Sequence, residues 1–94
     1  MLEDAGGKVI RRAILWNDQR SAAEAAALHE QAGELIVAAG LNRANPTWTL
    51  CQLAWLQKHE PDAVARTRRL YLAKDWLRGR LTGTWETDHT EAAG

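Results

Sequence analysis

Residues 9–21, which read VIRRAILWNDQRS, carry the chain from an apolar, β-type pattern into a helix start. Two short apolar runs, VI and ILW, flank a basic pair, and the second run ends at Trp16. The chain then turns polar, and Ser21 precedes Glu24 by the three residues that a helix-capping box requires. The stretch therefore predicts a strand that ends at Trp16, a turn, and a helix that begins near residue 21.

The segment before this stretch, EDAGGK at residues 3–8, has the composition of a tight turn. Gly6 and Gly7 accept the positive φ angles that a short hairpin demands, and Asp4 is a common turn residue. We therefore expect a short β-hairpin around residues 3–16, with its second strand ending at Trp16.

Most of the remaining chain favours helices. Alanine is the best helix former, so SAAEAAALHEQA predicts a helix over about residues 21–32, with Gly33 as its stop. The next run, ELIVAAG, is too short for its periodicity to distinguish a helix from an extended segment. The apolar face of TWTLCQLAWLQKHE, residues 47–60, predicts a mostly buried helix.

The C-terminal third adds shorter elements. Pro61 can open a further helical turn, since proline suits the first helical position. The run LYLA indicates a short strand or a link, and KDWLRGRLTG predicts a helix closed by Gly83. Gly79 inside that helix should weaken it by about 1 kcal/mol relative to alanine. The expected isolated fold is thus mainly α with a short β-hairpin.

Length and composition limit the classes of protein. The 94 residues suit one small domain, and twelve basic residues balance twelve acidic ones, so no net charge steers the chain to nucleic acid or an anionic membrane. The lone Cys51 cannot form an internal disulfide, which favours a cytoplasmic location. No apolar run approaches the ~20 residues of a membrane span. We expect neither a nucleic-acid nor a membrane partner.

The sequence contains no motif for a phosphate-binding loop or for a metal site. No GxxxxGK[ST] phosphate loop is present, and the three histidines are too scattered for a metal site. The alternative to an enzyme is a small helical module that binds protein or RNA through exposed tryptophans and a basic window. A solvated face is the simpler interpretation of that window. Its members are Arg66, Arg68, Arg69, Lys74, Arg78 and Arg80.

Three stretches together resemble the FGGY carbohydrate kinases, and within that family the xylulokinase-like members. They are VIRRAILWNDQRS, NPTWTLCQLAWLQKHEP and LYLAKDWLRGRLTGTWETDHTEAAG, which follow one another in the family's order. The last is the most specific. The resemblance implies that residues 1–94 are a single partial domain, a fragment of the N-terminal, sugar-binding α/β domain of the actin and ribonuclease-H type.

The implied activity is transfer of the γ-phosphate of MgATP to a hydroxyl of xylulose or a related ketose or polyol. The family's phosphate-binding loop would precede Met1, and its catalytic aspartate would follow Gly94. The resemblance therefore predicts no catalytic, cofactor-binding or metal-binding residue within this chain. Alone, the chain should be inactive and should bind neither cofactor nor metal. Its implied partners are the sugar and either the rest of the kinase or, as a homodimer, a second copy.

The resemblance also implies which residues adjoin the sugar. A tryptophan that lines the polyol pocket in relatives falls on Trp16, while Asp18 and Arg20 fix the turn behind it. Thr47 falls where some relatives place a second, aromatic pocket residue, so the chain departs from the pattern there. Gln52 likewise stands where the family signature usually has lysine. The substrate-binding prediction is Trp16, Asp18, Arg20 and Thr47.

Overall fold

The computed structural model describes residues 1–40 and 42–88, which form helices around a small antiparallel sheet. The elements in chain order are β1 (Leu2–Glu3), α1 (Ala22–Gly40), α2 (Thr49–His59), α3 (Pro61–Arg66), β2 (Arg69–Leu70) and α4 (Ala73–Thr82). This architecture confirms the expected mainly helical fold with a minor β component. None of the described helices is long and apolar enough to cross a membrane.

The sheet joins the N-terminus to a distant part of the chain. Strand β1 pairs antiparallel with β2, with Leu2 opposite Leu70. On the other side of β1, Glu3 forms a single antiparallel bridge with Val9. Two antiparallel neighbours thus flank β1, and its pairing with β2 joins residues that are nearly 70 positions apart in the sequence.

The predicted turn before Val9 is confirmed. The Asp4 amide donates to the Lys8 carbonyl at 3.0 Å, and the Asp4 carboxylate accepts from the amides of Gly6 and Lys8. Gly7 adopts a φ of 78°, which a residue with a Cβ rarely accepts. Gly7 alone supplies the positive φ expected of both glycines, and the turn brings the chain back beside β1.

The predicted strand ending at Trp16 is wrong. Strand-like pairing stops after Ile10, whose amide donates to the Leu2 carbonyl at 3.0 Å. Residues 14 and 15 belong to no strand, and Trp16 lies in a turn. The Leu15 carbonyl instead accepts from the Asp18 amide at 3.1 Å, so it closes that turn. A β-type apolar run forms a strand only where a neighbouring backbone is available for pairing.

The first helix begins where predicted but continues beyond Gly33. Its backbone kinks at Ala32, which has a φ of −145° and a ψ of 24°, and helical structure resumes to Gly40. Gly33 packs against the His29 ring, and an added Cβ would lie 2.8 Å from Nδ1. The expected stop is therefore a kink, and the undecided run ELIVAAG is helical.

The core is thin, as the length of the chain predicts. Its buried apolar residues are Leu2, Ala25, Cys51, Leu56 and Ala63. Helix α2 supplies two of them and packs against α1 and α3. Because α2 lies at the centre of this packing, its N-terminal end has a defined position relative to the turn that carries Trp16.

Candidate functional site

The turn at residues 15–18 presents an indole to solvent. Trp16 is 82% exposed and Leu15 is 58% exposed, so the second apolar run does not enter the core. An exposed tryptophan of this size is unusual, since an indole normally buries most of its surface. Trp16 therefore presents its ring on the surface of this part of the chain.

Hydrogen bonds between Asp18 and Arg20 stabilise this turn. Both carboxylate oxygens of Asp18 accept from the Arg20 guanidinium at 2.8–3.0 Å, and Oδ1 also accepts from the Arg20 amide at 2.9 Å. The side-chain hydrogen bonds with Arg20, followed by the backbone bond, hold the pKa of Asp18 below its ordinary value. The same pairing raises the pKa of Arg20. The pair thus stays ionised at neutral pH.

Two stacked aromatic side chains on α2, Trp55 and His59, also hold Arg20 in place. The guanidinium lies 5.0 Å from the Trp55 ring centroid, within the range of a cation–π contact. Trp55 in turn stacks on His59, with ring centroids 4.4 Å apart and planes 14° from parallel. Arg20 is consequently held by both a carboxylate and a ring, which fixes the turn against α2.

Thr47 lies just before α2 and is held by Asn45. The Asn45 Oδ1 atom accepts from the Thr47 amide at 2.9 Å and from its hydroxyl at 2.5 Å. Thr47 is half-buried, and its Oγ1 retains lone pairs that can accept a hydrogen bond. Asn45 therefore holds both the backbone and the side chain of Thr47 in place.

Two hydrogen-bonding groups connect the Trp16 turn to the Thr47 loop. The Gln52 side-chain amide donates to the Leu15 carbonyl at 3.4 Å and to the Thr47 carbonyl at 3.2 Å. The hydroxyl of the fully buried Ser21 donates to the Pro46 carbonyl at 2.6 Å. The structure thus links the two segments that carry the four predicted site residues.

The sequence interpretation missed the residues that hold this arrangement together. Gln52 was only a departure from the family signature, Trp55 was part of an apolar helix face, and Asn45 was part of a loop. Asn45 alone had a local signal, because an Asx residue commonly accepts from the amide two residues later. The contacts of Gln52 and Trp55 join distant segments, and no local pattern indicates them.

The basic window is partly occupied by contacts within the chain. Lys74 lies 2.8 Å from Asp75 and 2.9 Å from Asp88, while Arg80 lies 5.3 Å from the Trp76 ring centroid. Hydrogen bonding to Lys74 is the largest cause of the lowered pKa of Asp75. Arg78 donates to the Glu86 carbonyl at 2.8 Å. These contacts support the interpretation of the window as a solvated structural face.

The described residues do not fit a divalent metal. Among residues 1–40 and 42–88, no three histidine, cysteine, aspartate or glutamate side chains gather as a possible ligand set. Both oxygens of Asp18 already accept from Arg20. We therefore derive no step of a reaction through a metal held by this part of the chain.

Comparison with known proteins gives consistent matches over the whole chain. A family model described as the N-terminal domain of the FGGY family of carbohydrate kinases matches residues 1–94. The chain is 41% identical to the xylulose kinase of Escherichia coli over 99% of its length, and 35% identical to that of Bacillus subtilis over all of it. It spans 19% of the length of each of these relatives.

The fold of the chain is also similar to part of a solved structure. A crystal structure of a "xyloylose kinase" from Brucella ovis aligns with a TM-score of 0.91 and 41% identity. The alignment covers 99% of this chain and 19% of that protein. The small sheet, the helices and the turn carrying Trp16 thus have counterparts in a much longer polypeptide.

Proposed function

The chain belongs to the FGGY family of carbohydrate kinases, and we propose that it forms one wall of the sugar site of such an enzyme. The complete enzyme would transfer the γ-phosphate of ATP to a hydroxyl of xylulose or a related ketose. The similarity to the xylulose kinases of Bacillus subtilis and Escherichia coli supports this substrate class. The single structural observation that carries the proposal is the exposed indole of Trp16 on an internally braced turn.

Trp16 is proposed to stack on the C–H face of the sugar. A sugar ring or extended ketose has an apolar C–H face and a hydroxyl-bearing edge, and an indole suits the former. The braced turn keeps the indole in place, so less conformational freedom is lost when the sugar binds. Trp16 therefore contributes orientation and affinity rather than acid–base chemistry.

Asp18, Arg20 and Thr47 are proposed to act around this indole. The side chains of Asp18 and Arg20 hydrogen-bond to each other and stabilise the turn. Their proposed role is therefore to position Trp16. Thr47 donates its hydroxyl proton to Asn45, which leaves its oxygen to accept from a sugar hydroxyl. The family resemblance implies an aromatic residue at this place in some relatives, so the contact proposed for Thr47 is a hydrogen bond in place of a ring contact.

ATP and its magnesium ion are proposed to bind elsewhere in the complete enzyme. Phosphoryl transfer depends mainly on positioning and on stabilisation of charge by metal and cationic groups. The contribution proposed for this chain is the positioning of the acceptor sugar. The expected consequence is that changes at Trp16 affect the sugar and leave ATP binding unaltered.

The proposal is tested in a chimeric kinase in which residues 1–94 replace the homologous fifth of the Escherichia coli xylulose kinase. Trp16→Ala should raise the KM for xylulose by about tenfold, because loss of the stacked indole costs on the order of 1–2 kcal/mol. Trp16→Phe should give a smaller increase. The KM for ATP should stay within about twofold of the parent chimera.

Leu81→Ala is the matched control, since it also truncates a large exposed apolar side chain, in this case one on α4. It should leave both KM values unchanged. A folded chimera that does not phosphorylate xylulose, or a Trp16→Ala variant with the parent KM for xylulose, would contradict the proposed function.

A further inference from the structure

We propose that Gln52 is a positioning residue for the sugar site, and that it acts by joining the turn under Trp16 to the loop that carries Thr47. The proposal rests on the proposed function, because Gln52 can position a sugar site only if Trp16 and Thr47 contact the sugar. It goes further by assigning a role to a side chain that no sequence motif marks. Its basis is a carboxamide that donates to a backbone carbonyl in each of the two segments.

The first part of the argument is that Gln52 has a fixed base. It lies in the first turn of α2, where its backbone amide donates to the Trp48 carbonyl at 3.0 Å. Helix α2 also contributes the fully buried Cys51 next to it. The Gln52 side chain therefore starts from one of the best-packed points of the fold.

The second part is the identity of its partners. The Leu15 and Thr47 carbonyls can only accept, so the group that faces them must be the NH₂ end of the carboxamide. Its two hydrogens match two acceptors, at 3.4 and 3.2 Å. One of these acceptors immediately precedes Trp16, and the other belongs to a predicted site residue itself.

The third part is the strength of this link. Hydrogen bonds at 3.2–3.4 Å are long and individually weak, so they cannot hold the fold together. The buried Ser21–Pro46 bond already joins the same segments at 2.6 Å. Loss of Gln52 should therefore shift the Trp16 turn relative to Thr47 without detaching it, and a small displacement of a binding wall is enough to weaken substrate positioning.

The experiment replaces the donor by an acceptor of the same shape. Gln52→Glu in the chimeric kinase places a carboxylate opposite two carbonyl oxygens and should raise the KM for xylulose by about three- to tenfold. The KM for ATP and the melting temperature should remain close to those of the parent. The separate variant Gln52→Lys keeps a donating head group, so its KM for xylulose should stay near the parent value.

Gln57→Glu is the matched control, because it makes the same chemical change at an exposed position of the same helix. It should leave the KM for xylulose unchanged. Gln52→Met, which is uncharged and similar in size, serves if Gln52→Glu fails to fold, and it should also raise this KM. Equal KM values for Gln57→Glu and the folded Gln52 variant would overturn the proposal.

A double-substitution cycle separates this proposal from the proposed function. Because Gln52 acts largely through the Trp16 turn, Gln52→Glu should lose most of its effect in a Trp16→Ala background. A raised KM in Trp16→Ala, together with a parent KM in Gln52→Glu, refutes only the role of Gln52. An unchanged KM in Trp16→Ala refutes the wall itself. Full additivity of the two effects refutes the connection between them.

Discussion

At the scale of single residues, Gly79 shows how tertiary packing can reverse a local preference. In isolation a glycine inside a helix costs about 1 kcal/mol relative to alanine. In the fold, however, the Trp85 ring lies where a side chain at residue 79 would begin. A Cβ added to Gly79 would lie 2.2 Å from Trp85 Cε3, far inside van der Waals contact. The glycine is therefore required by the close approach of an aromatic ring.

Gly79→Ala should consequently destabilise the chain by about 1–3 kcal/mol, because the ring must move or the helix must shift to admit the methyl group. Urea unfolding followed by circular dichroism measures this change. In a Trp85→Ala background the same substitution should instead stabilise by up to about 1 kcal/mol, since only helix propensity remains. A stabilising effect with Trp85 present would show that the ring does not pack there.

At the scale of elements, a buried carboxylate connects the sheet to the last helix. Glu3 on β1 is only 3% exposed, and its Oε1 accepts from the Trp76 indole N–H on α4 at 2.6 Å. A buried carboxylate without donors is costly, so this bond matters more to α4 than a surface ion pair would. The bond connects α4 to β1, while Leu77 and Leu81 on the same helix stay exposed.

Trp76→Phe should therefore destabilise the chain by about 1–3 kcal/mol, because it leaves the Glu3 carboxylate without its indole donor. Combining it with Glu3→Gln removes the carboxylate acceptor that Trp76 serves, so the two losses should overlap rather than add. Thermal unfolding of the two single variants and the double variant measures this coupling. Independent, additive losses would mean that the 2.6 Å contact contributes nothing to the docking of α4.

At the scale of the whole molecule, Cys51 reports whether the small core opens as one unit. It is fully buried on α2, which packs against both α1 and α3. Burial is the largest cause of its raised pKa, and the charge of Glu24 contributes as well. A raised thiol pKa lowers the fraction of reactive thiolate at neutral pH, so burial and electrostatics both protect the sulfur.

The Cys51 thiol should react with an aromatic disulfide reagent at least about a hundredfold more slowly than an exposed thiol at pH 8, since reaction requires opening of the core. The rate should rise with urea in parallel with global unfolding. Gln57→Cys in a Cys51→Ala background provides the exposed control on the same helix. Fast modification of Cys51 in the absence of urea would contradict a packed centre at α2.

Local signals in the amino-acid sequence were enough to predict where most elements begin, turn and end. The glycine turn at residues 6–7, Pro61 and Gly83 each act within a few residues, and the structure turns, begins a helix or ends one at these places. The spacing of Ser21 and Glu24 predicted the helix start correctly, but the Ser21 hydroxyl donates to the distant Pro46 carbonyl and Glu24 faces Lys58, so the expected capping box is not what holds this end. The family resemblance was equally readable, because it rests on ordered motifs along the chain. These signals sufficed for the mainly helical fold class and for the kinase family.

Features that depend on residues far apart in the chain could be read only from the packed fold. The pairing of Leu2 with Leu70, the exposure of Trp16, the continuation of α1 past Gly33 and the bridge made by Gln52 are all of this kind. A local pattern reports the preference of a segment for a conformation. Which backbone lies beside that segment is set by how the whole chain packs. The apolar run at residues 14–16 is therefore part of an exposed turn, and the helix stop predicted at Gly33 is a kink.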